Sequence, residues 1–146
     1  MSLSTVIIIS TAKWYPIEAV VASVAPVSGE IVINVDETDQ TGTADFIEKL
    51  SKDYPIKWFL SPWRWDSKDK GQELSRQTNL AIARATGDWI LDLQSDEIIH
   101  ENEHESLLEY IRAAPSMISG FRLMRLYFWK QPDILRLDWS RPLTRL

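Results

Sequence analysis

An α/β fold is predicted for this chain: a mostly parallel, twisted sheet with helices on both faces, in three α/β/α layers. Three observations predict it. Short, continuous apolar runs recur along the chain, as expected of strands buried on both faces. Amphipathic helical patterns separate them at similar spacing, which indicates a βαβ series. Two of the apolar runs lead into acids, and in an open parallel sheet ligands sit beyond the carboxyl ends of the strands.

The elements follow in order. Val6-Ile-Ile-Ile-Ser10 is the first strand. Pro16 opens a helix in which Ile17, Val20, Val21 and Val24 repeat at i, i+3, i+4 and i+7. Ile31-Val-Ile-Asn-Val35 is the second strand and closes on Asp36. Thr41 or Thr43 is suited to cap a helix carrying Phe46, Ile47 and Leu50. Ile56 to Leu60 is the third strand, followed by the loop Pro62-Trp-Arg-Trp-Asp66 and a polar stretch through Gly71. The next helix turns Leu74, Thr78, Ala81, Ile82 and Ala85 to one face and stops at Gly87. Trp89 to Leu93 is the fourth strand and runs into Asp96-Glu97. Glu101 to Ala113 reads as a helix with Leu107, Leu108 and Ile111 inward, and Ile118 to Trp129 as one long strand.

The 146 residues, 45% of them hydrophobic, suffice for one sizeable core, so a single domain over 1–146 is expected. No apolar run approaches the roughly 20 residues that span a bilayer, and the start lacks a signal-peptide pattern, which fits a cytoplasmic protein. With no cysteine, thiol catalysis, disulfides and Cys-based zinc sites are excluded. The net charge of −5 argues against a nucleic-acid partner. Charge is uneven: Asp92 to Glu109 holds seven acids and no Lys or Arg, whereas Pro115 to Leu146 holds six bases and two acids.

The five glycines, at 29, 42, 71, 87 and 120, form neither G-x-G-x-x-G nor a P-loop. Phosphates bound here need another partner, and a cation held by carboxylates supplies it. Hard oxygen ligands suit Mg²⁺ or Mn²⁺. Asp96 and Glu97 are the candidate ligands, although acids also favour a helix N-terminus for structural reasons. Asp36 is a ligand-binding candidate by its strand-end position and, equally, a turn-forming Asp before Thr38-Asp39.

The motifs as a set resemble a family 2 glycosyltransferase with the GT-A fold, in the bacterial branch that builds cell-envelope and lipopolysaccharide-core sugars. Val35-Asp36-Glu-Thr38-Asp39-Gln-Thr41 is similar to V-D-x-G-S-T-D-x-T without its Gly-Ser pair. Pro62-Trp63-Arg-Trp65-Asp66 resembles that branch's aromatic segment. Asn79-Leu-Ala-Ile-Ala-Arg-Ala-Thr-Gly87-Asp-Trp89 resembles R-N-x-A-L-x-x-A-T-G-D-W, and Leu93-Gln94-Ser-Asp96-Glu97 resembles L-D-A-D-E.

The resemblance implies transfer of a sugar from a nucleoside-diphosphate sugar, a UDP-sugar by preference, to a glycan or lipid-linked acceptor. It implies an inverting, metal-assisted mechanism in the cytoplasm, with the inner face of the membrane as an alternative place. Thr11 and Ala12 would line the base pocket, Asp36 would bind the base, and Asn79 and Gln94 would contact the nucleotide. Asp96 would ligate the metal, with Glu97 assisting. Gln94 stands where the family has the first acid of D-x-D, and Thr78 where it has an Arg, with Arg76 as the nearby substitute. The family's general base comes after the long strand, and no residue here is assigned to it; the usual C-terminal acceptor part is expected to be missing. The alternative is a non-catalytic nucleotide-sugar-binding domain.

Other groupings carry their own expectations. His100-Glu101-Asn-Glu-His104 fits H-E-x-x-H, so a zinc peptidase is a further alternative, beside the bland reading of a solvated helix start. His100 is also a candidate for the metal or phosphate near Asp96. Trp63 and Trp65 suit packing or acceptor contact. Arg122, with Arg125, Arg136, Arg141 and Arg145, suits phosphate contact or an ordinary solvated surface. An exposed sheet edge would allow a homodimer.

Overall fold

The computed structural model describes residues 1–65, 69–129, 131–136 and 142–144. Contacts divide the chain into two units, residues 1–113 and 114–146.

The first unit contains strands β1 (Leu3–Ile9), β2 (Glu30–Asp36), β3 (Ile56–Ser61) and β4 (Trp89–Gln94), with helices α1 (Ile17–Val24), α2 (Thr43–Leu50), α3 (Lys70–Ile82) and α4 (His104–Ala113). A short 3₁₀ turn, Glu101–Glu103, precedes α4. All pairings are parallel and the strand order is β3-β2-β1-β4. The chain steps outward from β1 to β2 to β3, then crosses back over both to β4. Right-handed crossovers in opposite directions put α1 and α2 on one face and α3 on the other. The predicted α/β, mostly parallel architecture is therefore present.

The apolar runs form the centre of the sheet: β2 is buried along its whole length and β1 along all but Ile8. The α1 stripe is as predicted, with Ile17, Val20, Val21 and Val24 all buried. On the opposite face Ala81 of α3 meets Val6 and Val32, with Ile8, Phe59, Ile82, Ala85 and Ile90 around them.

Three expectations change. First, α3 does not turn Leu74 inward; Leu74 is 42% exposed and the helix buries Glu73, Gln77 and Ala81. Second, α3 starts earlier and ends earlier than predicted. Asp69 caps it by accepting from the N–H groups of Gly71 and Gln72, and it stops at Ile82, short of Gly87. Third, neither Thr41 nor Thr43 caps α2. Gly42 holds the cap position at φ 85°, which the absence of a Cβ permits, and Asp39 accepts from the N–H groups of Thr41 and Thr43.

The motif around Gly87 ties α3 and β4 to β1. Glu30 accepts from Ser4 Oγ, from Lys57 Nζ and from the backbone and hydroxyl of Thr86. Gly87 N–H donates to Ser4 Oγ, and Asp88 accepts from Ser2 N–H. Burial disfavours the Glu30 charge, but Lys57, Ser4 and Thr86 outweigh it and hold the carboxyl at about 2.

In the second unit the predicted long strand is broken. β5 (Arg122–Met124) pairs antiparallel with β8 (Pro142–Thr144), and β6 (Phe128–Trp129) pairs with β7 (Gln131–Leu135). Residues 125–127 lie in no strand, so the loose alternation belonged to two short ones. No helix among the described residues is long and apolar enough to cross a membrane.

Candidate functional site

β2 ends on Asp36 and β4 runs into the turn 94–97, and both open onto the carboxyl edge of the sheet. Ile8 pairs with Asn34 on one side and with Gln94 on the other, so these rows are two strand spacings apart, about 10 Å. Asp36 and Asp96 each lie two residues further along their chains.

Around Asp36 the groups are closely tied. Its Oδ1 accepts from Thr38 N–H at 2.9 Å and from Thr38 Oγ at 2.8 Å, closing an Asx-type turn. Its Oδ2 accepts from the Trp65 indole N–H at 2.7 Å. The residue is 3% exposed, whereas Trp65 is 45% exposed. The ring of Trp63, almost fully buried, lies 5.2 Å from that of Trp65, tilted by 32°. Trp63 is thus a packing residue. Trp65 is a polar partner of Asp36, a role the sequence did not suggest.

The end of β1 joins the same loop. Thr11 and Thr41 share a hydroxyl hydrogen bond of 2.7 Å, and Ala12 N–H donates to Thr43 Oγ at 2.8 Å. Asp39 anchors these threonines. Burial disfavours its charge, but hydrogen bonds from Thr41 and Thr43 outweigh that and keep its carboxyl below the ordinary range. Thr11, Ala12 and Asp36 are therefore held together by one loop, 36–43. Ala12 also borders an apolar concavity of about 500 Å³ between α1 and α2, lined by Tyr15, Ile17, Phe46 and Tyr54 among others. Neither Asp36 nor Asp96 lines it.

Behind Asp36 lies a buried polar network that sequence reasoning missed. Asn34 Nδ2 donates to the Gln77 backbone and side-chain oxygens, and Ser61 Oγ reaches Asn34 Oδ1 and Gln77 Oε1, both at 2.6 Å. Gln77 Nε2 donates to Glu73 Oε1 and to the Pro62 carbonyl. Glu73 also accepts from Arg64 N–H and from Arg76. The Arg76 contact, opposed by burial and aided by Arg64 and Gln77, sets the Glu73 carboxyl at about 2. The segment 62–64 is thereby pinned to α3. Arg76, expected to stand in for the family's Arg, is occupied by Glu73 and the Pro62 carbonyl. Two signals were present: Asn34 inside an apolar strand, and Glu73 and Gln77 at i, i+4.

At the β4 end, Glu97 closes the turn in both directions. Its Oε2 accepts from Gln94 N–H at 2.8 Å, and its own N–H donates to the Gln94 carbonyl. Ser95 is buried, and Gln94 and Asp96 are exposed. Asp96 makes no hydrogen bond or ion pair among the described residues. Glu97 is thus partly committed to holding the turn.

Other candidates lie elsewhere. Asn79 is exposed, two residues past the inward Gln77 and so on the opposite face of α3. His100 precedes the 3₁₀ turn and caps it, its Nδ1 accepting from Asn102 N–H. His104 opens α4, with Nε2–H donating to the Ser23 carbonyl at 2.7 Å. Both histidines of H-E-x-x-H are thus engaged in structural bonds, and the zinc-peptidase reading is not favoured. Among the described residues no three His, Asp or Glu side chains gather as a metal ligand set. Arg122 is exposed on β5 of the second unit. Asp66, Arg141 and Arg145 lie outside the described residues.

Fold and edge together define a three-layer α/β protein with acidic and amide side chains gathered at the carboxyl end of a parallel sheet. The profile of Glycosyl transferase family 2 matches residues 5–141, and the chain belongs to that family. A comparison with curated proteins gives no match. Family membership implies a nucleotide-sugar donor and an acceptor, and it supports glycosyl transfer in general.

Proposed function

We propose that the chain transfers a sugar from a uridine diphosphate sugar, with Asp36 as the base-recognition residue and Asp96 at the diphosphate. The single observation that carries this is the state of Asp36. Thr38 fixes one carboxylate oxygen, and the other already receives an aromatic N–H at 2.7 Å. An imide N–H of uracil is a donor of the same kind. Cytosine and adenine have no ring N–H to offer at the corresponding place, so a uridine donor is preferred over those.

A closed cage needs more ligands than the turn 94–97 supplies. Mg²⁺ and Mn²⁺ sites on nucleotides use one or two carboxylates, with phosphates and water completing the shell. Asp96, exposed and without a hydrogen-bond or ion-pair partner among the described residues, fits that kind of site; Glu97 would orient the turn and Gln94 would hydrogen-bond ribose or a metal-bound water. When bound, the cation supplies charge neutralisation for the departing diphosphate. Direct displacement with inversion is the proposed stereochemistry, at a cytoplasmic site. Thr11 and Ala12 would flank the base through the loop they share with Asp36.

Turnover tests the proposal. Purified protein is incubated with UDP-glucose, UDP-N-acetylglucosamine and GDP-mannose in the presence of Mn²⁺, and released nucleoside diphosphate is measured. Slow release from a uridine donor is expected, and loss of it in Asp96→Ala. Release from the guanosine donor alone would overturn the assignment of the base. Binding of donors without release from any would replace the enzyme by a binding domain.

A further inference from the structure

We propose that Trp65 is an internal competitor for the donor base: its indole N–H occupies the Asp36 oxygen that the base must reach. This rests on the reading of Asp36 as the base-binding carboxylate. Both oxygens of Asp36 are engaged, one by Thr38 and one by Trp65. Oδ2 keeps a second lone pair, but at 3% exposure the residue offers no open approach to it. A ligand therefore reaches Asp36 only by displacing a partner.

The two partners differ in what holds them. Thr38 belongs to Asp36's own turn and is bonded through both backbone and hydroxyl, so it cannot leave without unmaking the turn. Trp65 arrives from another loop, is 45% exposed, and contributes one donor. Its neighbours up to Arg64 are pinned to α3 through Glu73, Arg76 and Gln77, so displacement needs only the Trp65 side chain to move. The closed arrangement is also not fully satisfied. Trp63 Nε1 is buried and finds no hydrogen-bond partner among the described residues. Nucleotide affinity is then reduced by the fraction of molecules in which Trp65 is closed.

The experiment compares wild type, Trp65→Phe and Asp36→Ala by calorimetric titration with uridine diphosphate and Mn²⁺. Phenylalanine keeps an aromatic ring and removes the donor. About tenfold tighter binding is expected for Trp65→Phe, the scale of a hydrogen bond to a charged acceptor. The indole ¹H–¹⁵N signal missing from Trp65→Phe, and so belonging to Trp65, should be slow to exchange in free wild type and become fast on adding nucleotide. Unchanged or weaker binding by Trp65→Phe, with binding still lost in Asp36→Ala, overturns the competitor and leaves the base site standing. Binding by Asp36→Ala equal to wild type, or by none of the three, overturns both.

Discussion

Gly87 and Asp96 show opposite kinds of constraint on a single residue. A Cβ on Gly87 would stand 2.6 Å from Ser4 Oγ and 2.7 Å from Ser4 N, and the second is backbone that cannot turn aside. Gly87→Ala should therefore destabilise the fold by about 1–3 kcal/mol, the range for overpacking, measured as the urea midpoint. An unchanged midpoint would mean that β1 and the Thr86–Asp88 turn separate easily. Asp96 is exposed and holds nothing in place among the described residues. Asp96→Ala should leave stability within about 0.5 kcal/mol and yet remove the metal dependence of nucleotide binding. A large loss of stability would show that the turn, and not a ligand, needs this carboxylate.

At the scale of elements, two carboxylates hold neighbouring pieces together and carry the acid sensitivity. Glu30 links β2 to β1, β3 and the turn after α3, and Glu73 links α3 to the loop after β3. Each has a folded pKa of about 2 against an ordinary 4.5. A lowered folded pKa gives stability that is complete above the unfolded value and lost as pH falls through the folded one. Stability should thus hold above pH 4.5 and decline steadily towards pH 2. Glu30→Gln should flatten part of that decline, and urea midpoints at pH 6 and pH 3 decide it; an equal drop in both proteins would remove Glu30 as a source. The strands were legible because both faces of β1 and β2 are buried, which leaves continuous apolar runs. The inward face of α3 was not, because a periodicity of apolar residues cannot register a face that buries Glu73, Gln77 and only one alanine. The strand over 118–129 failed for a related reason: loose alternation does not show where a strand breaks. Of the site, the strand-end acids were legible by position. The Thr38 and Trp65 bonds to Asp36 were not, since they join residues through loops whose course no local pattern sets.

For the whole molecule, the sheet order brings separate segments to one edge. β1 lies between β2 and β4, so the residues from the ends of all three flank one another although 60 positions separate Asp36 from Asp96. The Asp36 side is organised before any ligand arrives, with Thr38 and the threonine loop fixing it and Trp65 closing over it. The Asp96 side is an exposed carboxylate with no hydrogen-bond or ion-pair partner among the described residues, on a closed turn. That asymmetry suits a donor whose base is recognised by protein and whose diphosphate brings much of the cation's shell with it. The most direct test is a calorimetric titration of the wild-type chain with uridine diphosphate, with and without Mn²⁺, beside the same titration of Asp36→Ala. Binding that strengthens with Mn²⁺ in wild type and is weakened in Asp36→Ala under both conditions is expected. Binding indifferent to Mn²⁺ and equal in the two proteins would contradict a donor site built from Asp36 and Asp96.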